Sequence, residues 1–213
     1  MPRLKMAATR SNLITVKLQL ALAREGFRLL DRKREVLIME IMRIITQAEQ
    51  VQRQVEEQFQ QAYSVLQEAR AAMGTERVMR FAVSRTSDID VHITPRSIMG
   101  VVVPDVTVKT PETQLPYGFG DTSVVLDRAQ REWASVLGLM GPLADRVTTV
   151  WRLALELKRT QRRVNALESV FIPAYEETVR YIEETLEEKD REDLFRLKRA
   201  KAKSESDSQS HGI

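Results

Sequence analysis

Apolar residues recur at alternating steps of three and four through the first third of the chain. The run reads Leu13, Val16, Leu20, Ala23, Phe27, Leu30, Arg34, Leu37, Ile41, Ile44, Ala48, Val51, Val55, Gln58, Ala62, Val65, Ala69, Ala72, with only Arg34 and Gln58 breaking the apolar rule. A spacing averaging about 3.5 residues keeps one narrow seam turned toward a partner helix, as a left-handed coiled coil requires. A second run, Leu126, Ala129, Trp133, Val136, Met140, Leu143, Val147, Val150, Ala154 and Leu157, repeats the device. It continues less cleanly through Gln161, Val164, Leu167, Phe171, Ala174, Thr178, Ile182 and Leu186. One chain therefore supplies both strands of its own coil. The expected fold is mainly α: a long antiparallel two-helix coiled coil built from the N- and C-terminal arms.

Punctuation residues set the boundaries. Thr9-Arg10-Ser11 opens the first helix, with Ser11 as its cap, and Gly74-Thr75 closes it after Met73. About 60 residues at ~1.5 Å each predict a rod of roughly 90 Å. Between 75 and 121 stand Pro95, Pro104, Pro111, Pro116, Gly100, Gly118 and Gly120, too many breakers for a helix to run through. Asp88 to Thr94 alternates polar and apolar residues, the period of a half-buried strand, and Ile98–Val103 and Val106–Val108 are β-branched. A small middle domain containing a β-hairpin is expected. The second helix begins at Asp121-Thr122-Ser123, capped by Asp121 or Thr122, and runs to about residue 200. Gly141-Pro142 and Pro173 should kink or loosen it. The division is thus 1–74, 75–121, 122–203 and a polar, Ser-rich tail at 204–213 expected to be disordered.

Antiparallel pairing brings together residues whose numbers add to about 198–202 if Ala72 and Leu126 share one end. Arg34 then lies near Val164 to Glu168. A buried lone arginine is costly, so Arg34 and Glu168 are expected to pair at the seam. The alternative is that Arg34 reaches out to water along its own methylenes.

Composition agrees with a thin, charged rod: 213 residues, 43% hydrophobic, 6% aromatic and 30% charged. Cys is absent and the two histidines are His92 and His211. Disulfides, Cys-ligated zinc and thiol chemistry are excluded, and no carboxylate or histidine cluster has metal-ligand spacing. No phosphate-cradling Gly-rich loop occurs; Gly118-Phe119-Gly120-Asp121 reads as a turn. His92 alternates with apolar residues and reads as solvent-facing. Glu183-Glu184 and Glu187-Glu188, with Lys189, Arg191 and Arg196, read as a mixed-charge exposed face. Neither a catalytic role nor a cofactor is expected. No apolar run is long enough to span a membrane, since Glu40 and Arg43 interrupt Val36–Ile45. Without a signal-peptide pattern, a cytoplasmic protein is expected.

The net charge of +3 conceals local clusters. Arg24, Arg28, Arg32, Lys33 and Arg34 form one; Lys158, Arg159, Arg162 and Arg163 a second; Arg196, Lys198, Arg199, Lys201 and Lys203 a third. Each is either a solvated helix face or a contact for an acidic protein partner. Nucleic acid is poorly supported, because no stacking aromatics lie among the basic residues.

The C-terminal arm resembles a known family. Lys158-Arg159-Thr160-Gln161-Arg162-Arg163-Val164-Asn165-Ala166-Leu167-Glu168, followed by Val170-Phe171-Ile172-Pro173, is similar to the D subunit of the V-type and A-type rotary ATPases. Tyr181-Ile182-Glu183 and Glu187 to Lys198 extend the likeness, and Thr9-Arg10, Leu13, Gly26, Leu29-Leu30 and Lys33-Arg34 carry it in the first arm. Ala8, where the family commonly has proline, and Asp31-Arg32, in place of a lysine-rich run, depart from it. The resemblance implies a non-catalytic central-stalk shaft inside a ring of alternating A and B subunits. It implies contacts with the F subunit and with the funnel-shaped C subunit above the membrane rotor ring, without membrane insertion. Turning the shaft would couple ATP synthesis or hydrolysis at the A subunits to proton or sodium movement, with the chain in the cytoplasm peripheral to the membrane. In that frame Arg24, Arg28, Lys158, Arg159, Arg162 and Arg163 are candidate partner contacts. The competing readings are a free-standing homodimeric coiled-coil adaptor or scaffold, and a basic rod that binds nucleic acid.

Overall fold

The structure, a computed structural model, describes residues 4–84, 89–109 and 122–210, with the side chains of Ser84 and of 202–210 outside the description. Helix α1 spans Arg10–Met73, α2 Thr75–Ser84 and α3 Val124–Ala166; a π-helical turn covers Leu167–Phe171, and α4 covers Ile172–Ser210. Strands β1 (Asp90–Ile98) and β2 (Val101–Lys109) form one antiparallel hairpin. The mainly helical fold with a small middle hairpin is as the periodicity predicts. The chain divides into two compact units, one of residues 1–34 and 159–213, the other of residues 35–158.

Several local expectations change. The cap of α1 is Thr9, not Ser11: its hydroxyl accepts the Asn12 N–H at 3.3 Å, three residues ahead, where an N-cap oxygen reaches. Gly74 ends α1 at φ +84, a conformation open to glycine. Beyond it the chain turns helical again, although the breakers of 75–121 predict no helix there. No Gly or Pro lies within 75–84, and Val78 is buried with Ala69 and Leu126. Asp121, Pro111, Pro116 and the Gly118–Asp121 turn lie outside the described residues. The described cap of α3 is Ser123, whose hydroxyl accepts the Val125 N–H at 3.3 Å. At the other end, α4 continues through Ser204–Ser210, a stretch expected to be disordered.

In the unit of residues 1–34 and 159–213, α1 pairs with α4. Val16, Val164 and Ile182 are fully buried, and Thr178 is buried with its hydroxyl donating to the Ala174 carbonyl at 2.6 Å. The same hydroxyl accepts the Leu4 N–H at 3.1 Å, tying the segment before α1 onto α4. The π turn precedes Pro173: the Ile172 N–H bonds the Leu167 carbonyl, five residues back. A wide turn absorbs the disturbance that a proline imposes on the ladder of backbone bonds.

In the unit of residues 35–158, α1 packs on α3, α2 and the hairpin. One cluster joins Leu37, Ile41, Ile44 and Leu153, with Ile98 and Val101 of the hairpin against it. A second joins Ala69, Val78 and Leu126. The α1 seam is buried or half-buried at every predicted position except Ala72. In α3 the predicted seam drifts. Val147 is 54% exposed and Ala154 is exposed, whereas Gly141, Asp145, Thr149 and Leu153 are buried. These fall at steps of four, each advancing about 40° around a helix of 3.6 residues per turn. The buried line therefore winds from the hairpin side of α3 to the α1 side.

The hairpin register pairs Asp90 with Lys109, Pro95 with Pro104 and Ile98 with Val101. Its turn, Met99-Gly100, has both residues at positive φ, inside what the sequence presents as a continuous Ile98–Val103 strand. Prolines are tolerated in both strands because each strand has an outward edge where no ladder bond is lost. β1 is not half-buried. Val91 and Ile93 are exposed along with their polar neighbours.

Candidate functional site

Two features can engage partners: the hairpin seated on α3, and the charged faces of the long helices. The hairpin seat starts from a missing side chain. A Cβ at Gly141 would stand 2.8 Å from Val108 Cγ2 and 3.3 Å from the Val106 carbonyl oxygen, so glycine is what lets β2 lie against α3. One turn further, Asp145 is buried and meets Arg96 of β1 at 3.4 Å, Arg146 at 3.5 Å and the Thr149 hydroxyl at 3.3 Å. A buried carboxylate is tolerated when several donors converge on it. Arg152 adds a bond to the Val102 carbonyl at 2.9 Å. Together these fix the inner face of the hairpin and leave Val91, Ile93, Met99 and Val102 exposed on it.

The polar break at Gln58 is resolved across the seam. Its amide donates to Glu132 at 2.6 Å, beside Trp133, which meets the rings of Phe59 and Tyr63 edge to face. His92 is exposed and paired with Asp90 at 3.0 Å, in keeping with a solvent-facing role. Among the described residues no group of His, Cys, Asp or Glu is placed to hold a metal ion, and no helix is long and apolar enough to cross a membrane.

The candidate contact residues differ in their surroundings. Arg24 is engaged within the chain by Glu176 at 2.7 Å. Arg28 reaches Glu25 loosely, at 3.8 Å. Lys158, Arg159, Arg162 and Arg163 are exposed on the C-terminal arm. Arg34 takes its carboxylate from its own helix, Asp31 at 2.6 Å, rather than from Glu168. A partner one turn away needs no cross-helix geometry, and the half-buried site leaves room for it. Asp31 is the residue that seam periodicity does not point to, and its i,i+3 spacing to Arg34 is the signal that does.

Residues 12–202 match the family described as the D subunit of ATP synthase. The chain is 42% identical to the V-type ATP synthase D subunit of Thermotoga neapolitana over 94% of its own length and 98% of that protein's. It is 37% identical to the A-type ATP synthase D subunit of Methanopyrus kandleri over 91% and 84%, and 36% identical to that of Pyrococcus horikoshii over 93% and 94%.

Proposed function

Because this chain belongs to the family of D subunits of V-type and A-type ATP synthases, whose members work within a multi-subunit complex, we propose that it is the non-catalytic central shaft of that complex. In this reading it turns inside the ring of A and B subunits and carries torque between ATP synthesis or hydrolysis at the A subunits and proton or sodium movement through the membrane sector. The F subunit and the funnel-shaped C subunit join it at the stalk, and the assembly sits on the cytoplasmic side of the membrane. The observation that supports this best is the family match across both arms, residues 12–202, in a chain whose first helix keeps its predicted seam buried or half-buried as far as Ala69. A packed seam resists twist, and exposed charge forms contacts that can break and re-form with each step. Arg28, Lys158, Arg159, Arg162 and Arg163 are the proposed contacts to the stator ring or to the F subunit. Arg24 is the weakest member of that set, since Glu176 already engages it.

This chain has no cysteine of its own, so an introduced one is its single thiol. A cysteine on an exposed position of α1, crosslinked to one on a B subunit of the purified complex, should abolish ATP-driven ion pumping, and reduction should restore it. Full pumping by the crosslinked complex would sink the shaft reading. Recovery of the tagged chain from membranes without A and B subunits would do the same.

A further inference from the structure

Ion pairs join α1 to α4 in a regular series: Arg10–Asp190 at 3.2 Å, Lys17–Glu183 at 2.6 Å and Arg24–Glu176 at 2.7 Å. Successive rungs are seven residues apart on both helices, and the two numbers of each pair add to 200. Every cation stands on α1 and every anion on α4. The rungs flank the seam of Leu13, Val16, Leu20 and Ala23, one heptad to a rung.

We infer that this ladder is a partner-selection device, which makes α1 choose α4 of its own chain, antiparallel and in one register, over a second copy of either helix. The apolar seam cannot make that choice alone. Its Leu, Val and Ala knobs would fit the holes of another α1 nearly as well, and flanking charges are what set partner and orientation in coiled coils. Two α1 segments side by side would set Arg10, Lys17 and Arg24 of one along the same cations of the other, and two α4 segments would set Glu176, Glu183 and Asp190 along their own anions. Slippage is opposed as well. A slide of one heptad in one direction re-forms two rungs, Arg24 with Glu183 and Lys17 with Asp190, but loses the third and brings Asp31 opposite Glu176, two like charges. The opposite slide also keeps two rungs and sets Arg24 against Ser169, an empty rung, so each slip forfeits one of the three pairs. Exposed pairs add little to stability, so the ladder's weight lies in the difference between right and wrong partners. It ends where the π turn of Leu167–Phe171 inserts an extra residue and moves the helix out of phase. The inference concerns how the chain pairs with itself and does not rest on the shaft reading.

The test uses the full-length chain carrying Leu13→Cys and Leu186→Cys. Both residues line one groove with Arg10, Glu183 and Asp190, so their disulfide reports the native register. Adding Arg10→Glu, Lys17→Glu and Arg24→Glu should cut the intrachain disulfide yield about tenfold at low salt, with the lost material appearing as interchain dimers. Adding Glu176→Lys, Glu183→Lys and Asp190→Lys as well should return both yield and monomer. If the triple reversal misfolds, the single-rung pair Lys17→Glu and Glu183→Lys still decides: each alone should lower the yield about twofold and the two together should restore it. Unchanged yield and mass in the reversed chains would overturn the inference, as would a swapped chain that keeps its helix content without recovering the register. Co-purification with the catalytic A and B subunits, measured separately, bears on the shaft reading alone.

Discussion

The pairing of α1 with α4 and the pairing of α1 with α3 use one helix in two different ways. Where α1 meets α4, the core is apolar apart from Thr178, which is satisfied locally, and the charges lie on the rim in a heptad ladder. Where it meets α3, polarity is buried: Asp145 and Thr149 lie inside, and arginines from β1 and α3 converge on Asp145. The difference follows from how many elements must be placed. Two helices that need only find one another are sorted by rim charge. A third element, the hairpin, must be held at one position and orientation, and directional bonds to a desolvated carboxylate do that where apolar contact does not. Among the described residues it is the buried carboxylate, Asp145, that marks the seat of the hairpin.

Substitutions that break this contrast differ in size. Leu37→Ala or Leu153→Ala, both fully buried in the cluster beneath the hairpin, should cost about 2–5 kcal/mol in urea unfolding. Hydrogen exchange should then place the opening in residues 35–158, with the α1–α4 amides still protected. Equal loss of protection in both units would show that they unfold as one. Asp145→Ala comes next, at about 2–3 kcal/mol, because Arg146 and Thr149 lose their shared acceptor while the half-exposed Arg96 can turn to water. Amides of β1 and β2 should exchange faster and the α4 amides should not. Gly141→Ala should destabilise by about 1 kcal/mol. The Val108 clash exceeds what alanine gains over glycine in a helix. Adding Val108→Ala should relieve it and make the double variant more stable than Gly141→Ala alone, measured by thermal unfolding.

The smallest effect is titration of the exposed helix surface. A hydrogen bond from Arg43 holds the Glu40 carboxyl below its ordinary value, with burial opposing and the charges of Arg43 and Arg96 assisting. A depressed carboxylate contributes stability above its unfolded-state pKa and loses it as pH falls through the folded-state value. Arg43→Gln should therefore narrow the stability difference between neutral and acid pH, and should raise the Glu40 titration midpoint observed by NMR. An unchanged midpoint would show that the Arg43 bond is too screened by solvent to matter.

Much of this arrangement is legible in the chain before any coordinates. The three-four alternation marks the α1 seam correctly as far as Ala69, and the Pro- and Gly-rich stretch marks the hairpin. Arg34 and Gln58 stand out as seam breaks. What resolves them lies elsewhere: Asp31 one turn back for Arg34, and Glu132 across the seam for Gln58. The α3 seam goes astray at Val147 and Ala154 because periodicity treats hydrophobicity as the sign of burial. The buried residues there include a glycine, an aspartate and a threonine, chosen for what the hairpin brings to them.

The sequence by itself determined that the chain is mainly helical, that its two arms carry complementary seams, and that a hairpin interrupts them. It also carried the family likeness. These follow from local periodicity and backbone preference, which each segment expresses without reference to the others. Tertiary structure alone decided which charge meets which, where α3 changes its buried face, and why Asp145 can be buried at all. Those outcomes depend on groups distant in sequence arriving at one place, and a carboxylate's cost or benefit is set by the donors that reach it.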